Sequence, residues 1–275
     1  MGERSYVPFD VFAMRVDVPV STAVRDGDLG WTCGQCPLTE TGVVHAPGDL
    51  LAQTEFVCGM IETVMTRAGF KPSDIGRLHV YFTAETDYEA AAALALIAAR
   101  FGHGPLIVPI AVPHFYYDGM LIEVDVFATS RLQMRAPVDA NGVRLDIADA
   151  GEQVWAYASV SLADRTADEA IDHMTGALAR QGMDQEHLLA DFWMVGGINA
   201  DAGRNAPSLQ NNRFVTNPDA LVHLADPAPH VIAAALTFSK RPVSVLSLAD
   251  AQDAVRLSLK RSGRTLWGSG VCANS

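Results

Sequence analysis

Glu123 and Asp125 stand two apart in the run Leu121-Ile122-Glu123-Val124-Asp125-Val126-Phe127, whose β-branched residues predict a strand. Side chains of a strand alternate between its faces, so the two carboxyls share one face while Ile122, Val124 and Val126 share the other. A buried glutamate beside aromatic groups has a raised pKa and serves as a general acid or base; on an exposed sheet face the same two acids are only solvated charge. A second concentration of chemistry is His114-Phe115-Tyr116-Tyr117-Asp118, between Pro113 and Gly119. Aromatic walls with His114 and Glu123 suit a planar, conjugated ligand and a proton transfer, and a loop packed against another subunit would use the same residues. The third is Cys33-Gly34-Gln35-Cys36. A zinc site needs a second ligand pair, and His45, Cys58 and Cys272 do not have that spacing; a redox pair opens a helix, whereas Pro37-Leu38 continues strand and turn. The expectation is therefore no metal and no cofactor. Cys33 becomes a nucleophile where a base such as His114 lowers its pKa, and is otherwise a small wall residue.

The elements that must position these groups recur in the chain. A hairpin-type strand runs to Trp31, with a tight turn expected at Gly34-Gln35 and another at Thr41-Gly42. A helix carrying Phe56, Val57, Met60, Ile61, Val64, Met65 and Ala68 stops at Gly69, followed by a strand over Leu78–Thr83, a helix over Tyr88–Arg100 and the Glu123 strand. The same order returns. Trp31 has a counterpart in Trp155, the second helix (Ala170, Ile171, Met174, Ala177, Leu178) stops at Gly182, and a strand covers Leu189–Val195. Arg100-Phe101 and Pro105 match Arg213-Phe214 and Pro218, and Leu121–Arg131 matches Val231–Arg241. The reading is two copies of one domain: 1–131, a linker at 132–152 with a turn at Ala140-Asn141-Gly142, a degenerate copy at 153–242, and an extension at 243–275 with a short helix over Leu248–Leu259. Asn205, Asn211, Asn212 and Arg213 form a polar cluster on a predicted helix, and Glu123 is replaced by Ala233 in the second copy.

With 20 basic and 32 acidic residues the net charge is −12, which argues against nucleic acid and anionic membrane surfaces as partners. No run of about 18 apolar residues exists to span a bilayer. Met1–Asp10 holds acid and proline where a signal peptide has its apolar core, so a soluble, cytoplasmic protein is expected.

Over residues 11–131 the chain resembles the Rid family (reactive intermediate deaminases, also called YjgF), at Gly34, Gln35, Pro37, Gly42, Gln53, Gly69 and Ile122-Glu123-Val124. The resemblance implies α+β architecture: tandem Rid/chorismate-mutase-like domains, each a mixed sheet with two helices on one face, assembled as a homo-oligomer, with a trimer favoured. It implies hydrolysis of enamines and imines at sites between subunits, with Glu123 as the acid/base and Gly34, Gln35 and Ile107 beside the small-molecule substrate. Phe115, Tyr116 and Tyr117 then border the ligand across the interface. The family's carboxylate-binding arginine follows a proline by two residues, but here the sequence is Pro105-Leu106-Ile107, and Pro218-Asp219-Ala220 in the second half. Val20 and Cys33 replace a tyrosine and a serine, and Ala90–Ala93 occupy a helix that offers an asparagine. These differences point to a drier pocket and a substrate outside the usual amino-acid-derived enamines. A non-catalytic binding or assembly protein on a decayed fold, or a chorismatase-like enzyme, are the other readings.

Overall fold

The structure, a computed structural model, describes residues 4–14, 19–102, 104–196, 222–225, 230–249, 255–262 and 265–269. The polar cluster at 205–213, Pro218-Asp219-Ala220 and Cys272 lie outside the described residues. Two compact units are present. One gathers Met1–Met134, Ala148–Gly151 and Leu224–Ala228; the other gathers Arg135–Ile147, Glu152–His223 and Pro229–Ser275.

The first unit is an α+β layer pair. Its strands are β1 (Arg4–Val7), β2 (Ala23–Asp26), β3 (Leu29–Thr32), β4 (Ile75–Phe82), β5 (Leu106–Ala111) and β6 (Ile122–Thr129), and its helices are α1 (Leu50–Arg67) and α2 (Asp87–Arg100). The sheet order is β1-β2-β3-β6-β4-β5. Every neighbouring pair is antiparallel except β4 and β5, which are parallel across the α2 crossover. Helix α1 starts where the Asp49 side chain accepts from the Ala52 N–H (2.9 Å). It ends at Gly69, whose φ of +80° allows Phe70 N–H to reach the Met65 carbonyl. Val57, Ile61, Val64 and Met65 of α1 share one buried cluster with Leu78 and Val80 of β4 and Val124 and Val126 of β6. Each such side chain contributes about 1.5–3 kcal/mol on burial.

Residues 132–152, expected as a linker, carry β7 (Leu132–Met134), β8 (Val138–Ala140) and β9 (Val143–Ala150). Their Val/Leu/Ile alternation outweighs the Asp, Gly and Ala content that suggested a connection. Asn141 and Gly142 both have positive φ (55° and 72°), the type I′ geometry that closes the hairpin β8–β9.

The second unit contains β10 (Gln153–Ser161), α3 (Ala167–Arg180), β11 (Leu188–Gly196), β12 (Val222–His223) and β13 (Val231–Ser239). Its strands lie in the order β12-β11-β13-β10-β9. The sequence β10-β13-β11-β12 reproduces β3-β6-β4-β5 in sense as well as order, antiparallel twice and then parallel. Registers agree with the sequence offsets: Trp31↔Phe127 matches Trp155↔Thr237, and Leu78↔Val126 matches Asp191↔Leu236. The bulge between Ile75 and Arg77 recurs between Leu188 and Ala190. The Gly69 cap recurs at Gly182, where Met183 N–H reaches the Leu178 carbonyl. Beyond β13, the described residues of Leu248–Leu259, expected as a helix, are strand. The backbone runs as β14 (Ser244–Ala249) and β15 (Val255–Ser262), followed by β16 (Thr265–Ser269), in a three-stranded antiparallel sheet. The alternation Val255-Arg256-Leu257-Ser258-Leu259-Lys260 has period 2, and it prevails over the helical spacing read across the longer stretch.

Gln53 ties α1 to the entry of β6. Its side chain accepts from Leu121 N–H (2.8 Å) and donates to the carbonyls of Gly119 (2.7 Å) and Ala46 (3.0 Å), fully buried. Replacing it by Leu strands buried backbone groups, and we expect a loss of about 3 kcal/mol in urea unfolding, with the slope of the transition unchanged.

Candidate active site

Helices cover the Val124 side of the first sheet, so strand alternation turns Glu123 and Asp125 to the other side, where both are half-buried. Pairing brings Tyr81 opposite Glu123 and His79 opposite Asp125. The Tyr81 hydroxyl donates to Asp125 Oδ2 at 3.2 Å. Past the end of β3 the chain stays beside β6: Gln35 N–H donates to the Val124 carbonyl (2.9 Å) and Val124 N–H returns to the Gln35 carbonyl (3.1 Å). Gln35 is thus bridged to β6 in extended form, where a tight turn was expected. The bond pair to β6 outweighs the turn preference of Gly34.

That bridge carries Cys33, Gly34 and Cys36 onto Glu123. The Gly34 backbone passes so near that a Cβ there would overlap the Glu123 carboxylate. Burial, and then the neighbouring Asp125, push the Glu123 carboxyl above the usual carboxylate range, against a smaller opposing effect of the Cys36 thiol donating to it. Burial also raises Asp125, with the Tyr81 hydroxyl working the other way. The same surroundings hold Cys33 neutral: burial and the two acids push its thiol up to about 11. Cys36 and Tyr81 are raised as well, chiefly by burial. Gln35 donates through Nε2 to the Cys33 carbonyl (2.8 Å) and contacts its Sγ (3.6 Å), while its buried Oε1 has no hydrogen-bond partner among the described residues.

Of the residues singled out in the sequence, Glu123, Cys33, Gly34 and Gln35 come together. The others do not. His114 is exposed on the loop after β5, with no hydrogen bond or ring contact to Cys33 or Glu123. Tyr117 is a core residue at 4% exposure, Phe115 packs partly against the same core, and Tyr116 stands out at 73%, edge-on to Tyr117. Ile107 pairs with Leu78 and packs against the core on the helix side, away from Glu123.

Three residues on the Glu123 face were missed: Arg77, His79 and Tyr81. Their signal was the alternation Arg77-Leu78-His79-Val80-Tyr81, polar or aromatic at every second position. Arg77 is buried over the Phe127 ring (4.2 Å to its centroid), and burial lowers its guanidinium to about 9. It pairs with Phe127, four residues along β6 from Glu123, about 13 Å at strand rise, so it does not replace the missing carboxylate clamp. Burial, and then Arg77, hold the His79 imidazole well below its ordinary value. Among the described residues no three His, Cys, Asp or Glu side chains are placed to hold a metal ion, and no helix is long and apolar enough to cross a membrane.

Two predictions follow from these shifts. Thiolate absorbance of Cys33 should emerge only as pH approaches 11, and a Cys33→Ser variant should lack that step. A raised carboxyl stabilises the fold below the unfolded carboxylate range near pH ~4.3, and that contribution is lost as pH rises through its folded value. Glu123→Gln should therefore melt higher than the native chain at pH 7–8, with the difference shrinking as the pH is lowered towards 4.

Residues 13–130 match the family described as Endoribonuclease L-PSP. No curated protein matches the chain. Among solved structures, the YjgF gene product of E. coli is 25% identical, over 46% of this chain and 100% of that one, with a TM-score of 0.39. The Rid-family protein YyfB of Yersinia pestis is 27% identical, over 46% and 98%, with a TM-score of 0.35. E. coli TdcF with bound serine is 19% identical, over 46% and 98%, with a TM-score of 0.39. Residues 13–130, less than half of the chain and all within the first unit, are thus similar to the Endoribonuclease L-PSP family, also called YjgF or Rid.

Proposed function

We propose that the first unit is a small-molecule hydrolase of the deaminase type, acting on an imine, enamine or related conjugated substrate through Glu123 and a water molecule. The observation that carries this reading is the Glu123 carboxyl held between the Gly34 backbone, the Cys36 thiol and Asp125, with its pKa raised. In its protonated form Glu123 gives its proton to the nitrogen of an imine, or to the β-carbon of an enamine, and either way an iminium carbon results that is electrophilic. Water adds to that carbon as the Glu123 carboxylate takes the water's proton. The same proton then passes to nitrogen, and as the C–N bond breaks the carbinol hydroxyl gives its proton to the Glu123 carboxylate, so that a carbonyl compound and ammonia leave and the protonated acid is restored.

Asp125 and Tyr81 act on Glu123 rather than on substrate: their hydrogen bond fixes the second acid beside the first. Gln35 Oε1 is a buried acceptor without a hydrogen-bond partner among the described residues, so an N–H or a water could pair with it only if the segment 33–36 shifts. The thiol of Cys33, neutral at physiological pH, is a wall of the site and not its nucleophile. The absent clamp favours substrates without a carboxylate. In this reading the second unit is a second copy of the domain, with Ala233 and Ala235 at the positions of Glu123 and Asp125, and the chain assembles as a cytoplasmic homo-oligomer, a trimer of double-unit chains.

The test is ammonia release from imines and enamines generated in situ, with and without a carboxylate. Turnover of carboxylate-free substrates should fall about 10²–10⁴-fold in Glu123→Gln. Gly34→Ala should leave the melting temperature nearly unchanged, because only a flexible carboxylate must move, yet lose turnover by displacing it. Native turnover at background across the panel would rule out deamination.

A further inference from the structure

Glu123 points away from the helices, and a separate groove of about 810 Å³ lies on their side of the first unit. That volume falls within the range of pockets that enclose small ligands, roughly 300–1,000 Å³. Positions 52, 55, 56, 59, 60 and 63 of α1 line it at the i, i+3, i+4, i+7, i+8 and i+11 spacing of one helical stripe. This stripe flanks the one that α1 buries through Val57, Ile61 and Val64. Val11 and His45 close the groove from outside the helix.

Three features give the groove a chemistry. First, its floor is apolar and carries a flat stack: the His45 ring lies on Phe56 with centroids 4.4 Å apart and planes 14° from parallel. Phe56 is itself packed against the core, which holds the stack in place. Second, the rim is acidic. Arg67 is committed to Asp10 through two bonds (2.6 and 2.9 Å), while Glu40 and Glu55 make no ion pair among the described residues. Third, Gly59 sits in mid-helix where an added Cβ would meet nothing within 4 Å. Gly is the poorest helix former after Pro, and neither a left-handed backbone nor a close neighbour calls for it at this position. What the glycine does is leave the floor open.

We propose that this groove binds a small organic cation with a flat apolar body, its ring against the His45–Phe56 stack and its ammonium or amidinium group at Glu55 and Glu40. Three carboxylates against one guanidinium disfavour anions here, and the apolar floor disfavours a hydrated inorganic cation. The site is independent of the Glu123 reading and stands whether or not that reading holds.

Tryptamine is a suitable probe, with tryptophol, its uncharged hydroxyl analogue, as the control, both titrated calorimetrically into the full chain at low ionic strength. Tryptamine should saturate with a Kd below about 1 mM. Tryptophol should bind at least ~10-fold more weakly, a difference that salt should narrow as it screens the charge. Glu40→Gln/Glu55→Gln should weaken tryptamine ~5-fold or more by removing the exposed charges alone. Gly59→Leu should abolish binding with the far-ultraviolet circular dichroism retained, and Glu123→Gln should leave binding unchanged. Absence of saturable tryptamine binding, equal binding of amine and alcohol, or undiminished binding in a folded Gly59→Leu variant would each overturn the proposal.

Discussion

The antiparallel placement of β6 between β3 and β4 is the constraint on which the first unit depends. A strand in that position has no free edge, so its register is fixed from both sides. On one side Val124 and Val126 are committed to the core under α1. Alternation then leaves Glu123 and Asp125 no choice of face. A slip of one residue would put two carboxyls into the helix-covered core and two valines outside it, a cost far beyond any gain in pairing. The site is therefore held by the same contacts that hold the fold, and Gln53, which anchors α1 to the residues leading into β6, belongs to both.

Electrostatics on that face follow from the same geometry. Two acids stand two apart on one strand with thiols and a phenol as neighbours, and no cation among the described residues contributes to the shift of Glu123. The Asp125 charge adds to burial in raising Glu123, and both acids raise the Cys33 thiol, so the carboxyl that the Gly34 backbone covers most closely gives up its proton at a higher pH than an ordinary carboxylate. Such a face disfavours an anionic ligand. A neutral or cationic group meets no such repulsion there.

Much of this was legible in the chain, and what was not has identifiable causes. Helix α1, its Gly69 stop and the Glu123 strand follow from periodicities that local physics enforces. The bridge at Gln35 was invisible because it depends on a partner, Val124, 89 positions away, while Gly34-Gln35 has the local chemistry of a turn. Tyr117 and Phe115 were placed beside the ligand on aromatic content and on the family resemblance. An aromatic ring in a loop fills a core as readily as it walls a pocket, and composition does not say which. Arg77, His79 and Tyr81 were overlooked for the opposite reason. Their alternation was in plain view, but it reads as a half-exposed strand until the pairing with Phe127, Asp125 and Glu123 shows that one face collects them all.

The second unit sharpens the argument about Glu123. Strand order, register, bulge and helix cap return at matching offsets, so the geometry that would aim a side chain at a site is kept. What differs is the set of side chains on the corresponding face: Ala233, Ala235, Met194 and Phe192 stand where the first unit has Glu123, Asp125, Tyr81 and His79. None of the four titrates, and Ala233 and Ala235 are buried. A fold needs only alternation and packing volume at such positions, and alanine, methionine and phenylalanine satisfy both at no desolvation cost. Two half-buried acids do the reverse, since each stays there against the cost of burying its charge. The backbone framework therefore does not explain why the first unit carries them, because the second keeps that framework without them.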